Sequence, residues 1–379
     1  MFERRPKTTL TAFLLIIFIL LEVQFRLLAH FGAFPYQHYE TRNLSDGLPT
    51  FLDDINPDFG VWHYPNASGR HTSPCYDVAY HSNSRGMVDR ERTLKMSGAG
   101  RVVVLGDSFV EGFGVETEKR FTDILEQATG VEHLNFGSSG SFGPLQEWLL
   151  YRTLASRFEH TDVFLFFLPF NDFFDLDPGN FPPDRYRPYL KKSPVGFEVY
   201  YPVKFEDRRR ERLPWLKNLR NILSNRLYLI NFLRFSARWI KEKFSGKDAD
   251  ESSVPVPYDN FSAEELERVL HCYGLIAKAA SPGRLFIFSI PTARDLVAQK
   301  SRGTAFPLVT AMEDFAAARS NVFFFDLAPL LVKELTDRNL SEKELELPCD
   351  HHWNALGHEI AAEAIKKIFP DVDKYPRLD

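Results

Sequence analysis

Ser108 has the residue type and the position of a catalytic nucleophile. The apolar run Val102 to Leu105 predicts a short buried strand, and Gly106 and Asp107 form a small-residue turn directly after it. Open α/β sheets carry their reactive groups at the carboxyl ends of the strands, so the Ser108 hydroxyl is a candidate to attack an electrophilic carbon. The same residues also fit a simple turn followed by a helix cap, and only partner residues elsewhere distinguish the two interpretations.

A serine nucleophile needs a base and a group that orients it, and a loop near the C-terminus offers both. Segment 350–357 reads DHHWNALG and precedes a predicted helix, for which Asn354 is the candidate cap. Asp350 can accept a hydrogen bond from one ring N–H of His352, which fixes the tautomer and leaves the other ring nitrogen as the base. His351 is the competing candidate for the base.

Metal and cysteine chemistry are weaker interpretations of the same chain. Four residues that could bind a metal ion lie near the C-terminus: Asp350, His351, His352 and His358. Adjacent histidines do not readily point at one ion, so we predict neither a metal nor a cofactor. The chain has three cysteines: Cys75, Cys272 and Cys349. None of them follows a strand into a small-residue turn. In an oxidising compartment two would pair and one would stay free, in a pairing that the sequence does not give.

Two other predicted strand ends carry groups that stabilise negative charge. The second strand leads into the glycine- and serine-rich segment 135–143, whose backbone N–H groups can approach a ligand closely, although the lysine of a P-loop is missing. The third strand ends at Pro169-Phe170-Asn171-Asp172, where the Asn171 amide can donate to an oxyanion.

Taken in order, these segments resemble the SGNH (GDSL-type) hydrolases. The matching residues are Gly106-Asp107-Ser108-Phe109, Gly140, Asn171-Asp172 and Asp350-x-His352-Trp353-Asn354-x-x-Gly357. The resemblance covers about residues 100–370. It implies a flavodoxin-like three-layer αβα fold, with Ser108 as nucleophile and His352 as the base oriented by Asp350. It also implies an oxyanion hole made by the backbone N–H groups of Ser108 and Gly140 and the side chain of Asn171.

The chain departs from the family pattern at two positions. Pro169 stands where the third motif usually begins with glycine. The last motif commonly has its aspartate three residues before the histidine, whereas here Cys349 occupies that place and Asp350 lies two before. Some members that act on bacterial surface polysaccharides use the shorter spacing, so the resemblance still implies Asp350 as the acid partner.

The N-terminal half resembles a membrane-anchored bacterial subgroup of this family. The matching residues are Glu22-x-x-x-Arg26, Asn83-Ser84-x-Gly86 and Asp107-Ser108-Phe109-x-x-Gly112. This resemblance implies action on acyl groups, foremost O-acetyl groups, of a cell-envelope or exopolysaccharide carbohydrate. Three activities stay open: a serine esterase, an O-acyltransferase with the same triad, and an inactive membrane-tethered polysaccharide-binding or scaffold protein.

The elements that position these residues alternate between strand and helix. Strands are predicted at 101–105, 131–136, 162–168, 284–290 and 321–325, with helices at 116–129, 144–158, 262–280, 307–319 and 355–369. This order predicts the α/β class with a five-stranded parallel sheet. The hydrolase domain is expected at 101–172 and 261–379, after an irregular extension at 32–100 that packs on it. A basic, aromatic helical insertion is expected at 173–260.

The first 31 residues predict a signal anchor. Arg4, Arg5 and Lys7 precede the apolar run 10–21, which places the N-terminus in the cytoplasm and the rest of the chain outside it. Glu22 and Arg26 are expected to snorkel at the outer interface. A cleaved signal peptide and an amphipathic surface helix are the alternatives.

Charge excludes one class of partner and leaves the insertion open. The net charge of −5 over 379 residues gives no basic field, and together with the anchor it argues against nucleic acid. The insertion is nevertheless locally basic, with Arg208, Arg209, Arg210, Arg212, Arg220, Arg226, Arg234, Arg238 and Lys241. Three interpretations fit: a solvated helical cap, a face for anionic lipid headgroups, and a groove for an acidic polymer. The oligomeric state is not predicted.

Overall fold

The computed structural model describes residues 6–37, 41–44, 51–96, 100–194, 196–208, 214–245, 257–302 and 304–369. The chain divides into two compact units. The smaller, here called the helical unit, comprises 1–43, 72–74 and 212–254. The larger, the sheet unit, comprises 44–71, 75–211 and 255–379 and contains every candidate catalytic residue.

A five-stranded parallel sheet forms the centre of the sheet unit and confirms the predicted α/β class. Its strands are β6 (Arg101–Leu105), β7 (Glu132–Asn135), β8 (Asp162–Phe167), β11 (Arg284–Ser289) and β12 (Val322–Asp326), in the order β12-β11-β8-β6-β7. The chain moves from β6 to β7 on one side and then returns to β8 on the other. The sheet therefore has a topological switch point between β6 and β8, where open α/β proteins place their sites.

Helices cover both faces of this sheet. They are α2 (Ser108–Glu111), α3 (Phe121–Thr129), α4 (Pro144–Thr153), α5 (Pro169–Asp175), α8 (Ala263–Ala280), α9 (Ala293–Ser301), α10 (Pro307–Ala317), α11 (Ala328–Asp337) and α12 (Ala355–Ile368). Alternate strand residues point to opposite faces. Val103 and Leu165 belong to a core shared with α4, α8 and α10, whereas Val104 and Phe166 belong to one shared with α3, α11 and α12.

Two segments of the sheet unit differ from the sequence prediction. The extension predicted to be irregular contains β2 (Leu52–Asn56), β3 (Gly60–His63), β4 (Ser68–Ser73) and β5 (Tyr76–His81), after β1 (Thr41–Leu44). The insertion has the predicted helices, α6 (Pro214–Arg226) and α7 (Tyr228–Ser245), but its first part also contains an antiparallel hairpin of β9 (Tyr189–Ser193) and β10 (Gly196–Tyr200). Both differences have the same cause: strands of four to six residues that contain many polar residues give a weak hydrophobic signal.

Three helices form the helical unit: α1 (Pro6–His30), α6 (Pro214–Arg226) and α7 (Tyr228–Ser245). By length and composition α1 can cross a membrane. Glu22 does not simply reach outwards as predicted, because its carboxylate accepts the backbone N–H groups of Tyr228 at 3.0 Å and Leu229 at 3.1 Å. Arg26 pairs with Glu22 at 3.1 Å. A carboxylate of α1 thereby caps the positive N-terminal end of α7.

Part of the basic stretch lies outside the described residues, namely Arg209, Arg210 and Arg212. Arg220 and Arg226 are exposed on α6. Arg234 on α7 donates instead to Asn221 Oδ1 and Ser224 Oγ, each at 3.0 Å. The two helices therefore use some of their basic side chains to hold each other.

Candidate active site

Ser108 begins the short helix α2 at the carboxyl end of β6. Gly106 turns the chain there with φ of 158°, and a Cβ at this position would lie only 2.4 Å from the Val110 Cγ2 atom. Asp107 caps α2, since its Oδ1 accepts the N–H of Phe109 at 2.9 Å. The helix-cap interpretation of this segment is thus realised at Asp107, and the candidate nucleophile Ser108 lies one residue later.

Hydrogen bonds join Ser108, His352 and Asp350. The Nε2 atom of His352 lies 2.7 Å from the Oγ atom of Ser108, although the two residues are 244 positions apart. The Nδ1 atom of the same ring lies 2.5 Å from Asp350 Oδ1. With Nδ1–H donating to Asp350, Nε2 accepts the Ser108 hydroxyl, which is the arrangement that a serine–histidine–acid triad requires.

The acid partner is held as a carboxylate. Burial alone would raise the pKa of Asp350, but hydrogen bonds from the His352 ring and the His352 backbone N–H outweigh it, and the pKa lies below its ordinary value. An ionised Asp350 favours the ring tautomer with the proton on Nδ1. The disulfide between Cys75 and Cys349 ties the residue before Asp350 to the segment after β4.

Aromatic rings fix the plane of the His352 imidazole. Phe113 stacks on it with ring centroids 4.2 Å apart and an interplanar angle of 26°, and Phe109 lies 5.0 Å away. Both residues follow Ser108 in the chain, so one segment carries the candidate nucleophile and the rings that pack on the candidate base.

The other histidines of the C-terminal segment lie elsewhere. The His351 side chain is 86% exposed and its Nδ1 lies 3.4 Å from Glu346 Oε2. His358 is buried in α12, where burial lowers its pKa to about 3, and its Nδ1 accepts the N–H of Phe121. Among the described residues, no group of three or more His, Cys, Asp or Glu side chains is arranged to hold a metal ion.

Asn171 lies across the switch point from Ser108, on α5 at the end of β8. Its Nδ2 donates to Asp107 Oδ2 at 3.0 Å, and Asp107 is the residue before the nucleophile. Burial raises the pKa of Asp107 to about 6, while hydrogen bonds from Phe109 and Asn171 act in the opposite direction. An amide nitrogen carries two hydrogens. One holds Asn171 on Asp107, which leaves the other for a ligand.

The loop after β7 carries Gly140 in the left-handed region, with φ of 89°. Its carbonyl accepts a hydrogen bond from Arg185 Nη2 at 2.7 Å. A Cβ on Gly140 would meet Val61 at 3.0 Å and Leu52 at 3.1 Å. Closer to β6, the N–H of Ser139 donates to the buried carboxylate of Glu111 on α2. The loop is therefore fastened to the nucleophile's own helix and to the segment after α5.

Several residues of this site gave no signal in the sequence. Asp107 and Asn171 are 64 positions apart, and Arg185 and Gly140 are 45 apart, with no spacing rule that joins either pair. Phenylalanine is common in any hydrophobic core, so the residue type of Phe113 does not indicate a place in the site. Only the family pattern could have indicated the Asp107 position, and it does not give the contact with Asn171.

A cavity of about 820 Å³ lies at the opposite edge of the sheet from Ser108. Its lining includes Val102, Asp162 and Arg284, which stand at the amino ends of β6, β8 and β11. Arg284 Nε donates to Asp162 Oδ1 at 2.6 Å. This cavity contains none of the candidate catalytic residues, so it is a separate feature of the sheet unit.

Neither a family model nor a curated protein matches this chain. One solved structure to which it is similar is a member of the lipolytic protein G-D-S-L family from Veillonella parvula DSM 2008. The two chains are 12% identical, the match covers 71% of this chain and 98% of that chain, and the TM-score is 0.36. A second similar structure is a two-domain esterase active on acetylated mannans. The two chains are 11% identical, the match covers 74% of this chain and 52% of that chain, and the TM-score is 0.38.

A third similar structure is a carbohydrate esterase family 2 enzyme with a carbohydrate-binding domain from Corynascus thermopiles. It has 12% identity, covers 88% of both chains and has a TM-score of 0.38. These likenesses concern the fold alone.

Proposed function

We propose that the chain is a serine esterase that cleaves O-acyl groups, foremost O-acetyl groups, from a cell-envelope or exopolysaccharide carbohydrate. The observation that carries this proposal is the hydrogen-bond chain from Ser108 Oγ through His352 to Asp350. A hydroxyl in contact with a neutral imidazole that is itself held by a carboxylate is an activated nucleophile.

In the acylation step, Ser108 Oγ attacks the ester carbonyl carbon while His352 Nε2 takes the hydroxyl proton. The tetrahedral intermediate then collapses, the bond from carbon to the sugar oxygen breaks, and Nε2 returns its proton to the leaving alkoxide. The acyl-enzyme remains. Asp350 stays ionised throughout and stabilises the imidazolium that forms between the two proton transfers.

In the deacylation step, a water molecule attacks the acyl-enzyme and gives its proton to Nε2. The bond to Ser108 Oγ then breaks, Nε2 returns the proton to that oxygen, and the carboxylic acid leaves. A sugar hydroxyl in place of water would give the O-acyltransferase with the same residues. Negative charge on the carbonyl oxygen is stabilised in both steps by the second N–H of Asn171 and by the backbone N–H groups of Ser108 and Gly140.

Two features support an extracytoplasmic location for this activity. The disulfide between Cys75 and Cys349 is typical of an oxidising compartment, with Cys272 left as a buried free thiol. Helix α1 is long and apolar enough to anchor the chain in a membrane. A membrane-tethered enzyme facing the envelope would meet acylated polysaccharides there.

Replacing the nucleophile tests the proposal directly. We expect Ser108→Ala to lower kcat for p-nitrophenyl acetate by at least about 10³-fold, because the triad acts as a unit. The matched control is Ser156→Ala, which removes an exposed hydroxyl that donates to the Arg152 carbonyl.

A fluorophosphonate probe separates an esterase from an inactive scaffold protein. We expect the probe to label the wild-type chain and the Ser156→Ala protein but not Ser108→Ala. A wild-type chain that is folded and remains unlabelled would favour the polysaccharide-binding or scaffold alternative.

A further inference from the structure

Large hydrophobic side chains are seldom exposed on the described part of the sheet unit, and two of them share one short helix. The exposed ones are Leu94, Phe170, Phe174, Val199 and Val297. Phe170 is 57% exposed and Phe174 is 50% exposed, and both are on α5, the helix that carries Asn171. Exposed apolar surface that recurs at one place marks a binding surface more often than single scattered residues do.

Phe170, Asn171 and Phe174 lie on one side of α5. Phe174 is four positions after Phe170 and three after Asn171, and both spacings make neighbours on a helix surface. The other side of the helix is buried through Asp172, Phe173 and Asp175. The two rings therefore lie on the same side of α5 as the residue whose amide we place in the oxyanion hole.

A series of contacts connects the Phe174 ring to the loop after β7, which carries Gly140. Phe174 meets Phe181 edge to face with centroids 5.7 Å apart. The Arg185 guanidinium lies 5.3 Å from the Phe181 ring and donates to the Gly140 carbonyl. The aromatic surface is thus anchored beside both Asn171 and Gly140.

We propose that Phe170 and Phe174 form a stacking surface for a sugar ring of the substrate, next to the ring whose ester is cleaved. This inference rests on the proposed esterase function and specifies its substrate class. The C–H groups on one face of a pyranose ring carry partial positive charge and pack on the negative face of an aromatic ring. The hydroxyl groups at the ring edge need polar neighbours.

The surroundings of the two rings favour a sugar over a fatty acyl chain. Exposed polar groups stand close by, since Asn180 donates its side-chain N–H to the Phe174 carbonyl at 3.0 Å and Asp177 caps the turn between them. A fatty acyl chain is better held in an enclosed apolar channel, whereas these rings are half open to solvent.

The test compares full-length variants on two kinds of ester. Phe170→Ala, Phe174→Ala, Phe170→Leu and Phe170→Trp are measured with p-nitrophenyl acetate, p-nitrophenyl octanoate, and partially O-acetylated manno-, xylo- and chito-oligosaccharides. The control is Val297→Ala, which removes an exposed apolar side chain from α9.

We expect each alanine variant to lower the ratio of kcat/KM for the acetylated oligosaccharide to that for p-nitrophenyl acetate by about tenfold, mainly through KM. Phe170→Trp should restore the ratio because it keeps a flat aromatic face. Phe170→Leu should not, because it keeps the apolar character without the face. The Val297→Ala ratio should equal that of the wild-type chain.

Two results would overturn the inference. One is a ratio in the alanine variants equal to that of Val297→Ala. The other is a selective loss on p-nitrophenyl octanoate that Phe170→Leu repairs, which would assign the rings to an acyl chain. Titration of the Ser108→Ala protein with the same oligosaccharides provides a readout independent of turnover, and failure of every oligosaccharide to bind would also overturn it. Loss of Ser108-dependent p-nitrophenyl acetate hydrolysis would instead contradict the esterase itself.

Discussion

The Asp107 carboxylate makes two contacts in the candidate site, one with the backbone of α2 and one with the Asn171 side chain. Asp107 Oδ1 caps α2 and its Oδ2 holds Asn171, so the carboxylate organises both the nucleophile's helix and the proposed oxyanion donor. Each oxygen has one partner. A change at either residue is therefore expected to act on the transition state rather than on the fold of the sheet.

Removing the Asn171 donor should reduce turnover and leave substrate affinity nearly unaltered. We expect Asn171→Ala to lower kcat by about 10²–10³-fold with little change in KM, because the donor meets the oxygen only when negative charge develops on it. Asn171→Asp, which has the same shape but no N–H donor, should behave alike in steady-state kinetics. A change confined to KM would instead place Asn171 in substrate binding.

At this scale the local motifs of the sequence indicate the candidate triad residues but not the residues that surround them. Ser108, Asp350 and His352 belong to local motifs, and the structure brings all three into hydrogen-bond contact. Arg185 and Phe113 belong to no motif. Their positions follow from tertiary packing between distant segments, which no local pattern encodes.

At the scale of elements, the switch point between β6 and β8 brings the site together. Ser108 begins the helix after β6 and Asn171 lies on the helix after β8, and these two strands are direct neighbours with Leu105 paired to Leu165. Behind them α4 and α5 bury several carboxyl groups. The side chain of Glu147 on α4 is fully buried, and neither of its oxygens has a hydrogen-bond partner among the described residues.

The buried carboxyl groups make stability depend on pH in an unusual direction. Burial, reinforced by neighbouring carboxylates, raises the pKa of Glu147 and of Asp172 well above the ordinary values. The folded chain then binds more protons than the unfolded chain, so these groups lower the free energy of unfolding as the pH rises from about 4 through the raised pKa values.

Glu147→Gln should relieve this effect. We expect the variant to raise Tm at pH 8 by roughly 2–4 °C over the wild-type chain and to gain less at pH 5, because the raised pKa leaves the wild-type group more protonated at the lower pH. Thermal unfolding followed by circular dichroism at both pH values measures this. Glu313→Gln, at an exposed position on α10, is the control. An equal shift at both pH values would point to packing rather than to protonation.

Strong periodicity explains which elements the sequence predicted. β6, β8 and β11 contain continuous apolar runs that are buried on both faces, and the predicted start of each of the five sheet strands lies within one residue of the observed one. The sequence does not indicate β5, although Tyr76, Val78 and Tyr80 are buried in alternation, because the strand has only six residues and Asp77 and His81 interrupt its apolar pattern. The short helices α2 and α5 were missed because one or two turns give no period to detect.

At the scale of the whole molecule, one disulfide connects two distant parts of the chain within the sheet unit. Cys75 and Cys349 are 274 residues apart. A crosslink over such a long loop restricts the unfolded chain strongly, by about 5 kcal/mol in the loop-entropy model. Its second cysteine is also the neighbour of Asp350, so the crosslink acts on stability and on the site together.

Removing this crosslink should affect both properties. We expect the Cys75→Ser/Cys349→Ser variant to lose about 10 °C in Tm and to have a lower kcat for p-nitrophenyl acetate, since the segment with Asp350 and His352 loses its tether. Dithiothreitol should lower the Tm of the wild-type chain similarly and leave the double variant unaffected. Equal Tm values for wild type and variant under oxidising conditions would contradict the expected role of the crosslink.

Because this crosslink lies beside Asp350 and forms in an oxidising compartment, it makes the activity of the chain depend on where the chain is in the cell. A newly made chain in a reducing cytoplasm carries two thiols at these positions, and its acid–histidine loop is not yet tethered. We expect the chain to reach its full esterase activity only after export and oxidation. Its activity on cellular esters during synthesis would thereby be reduced.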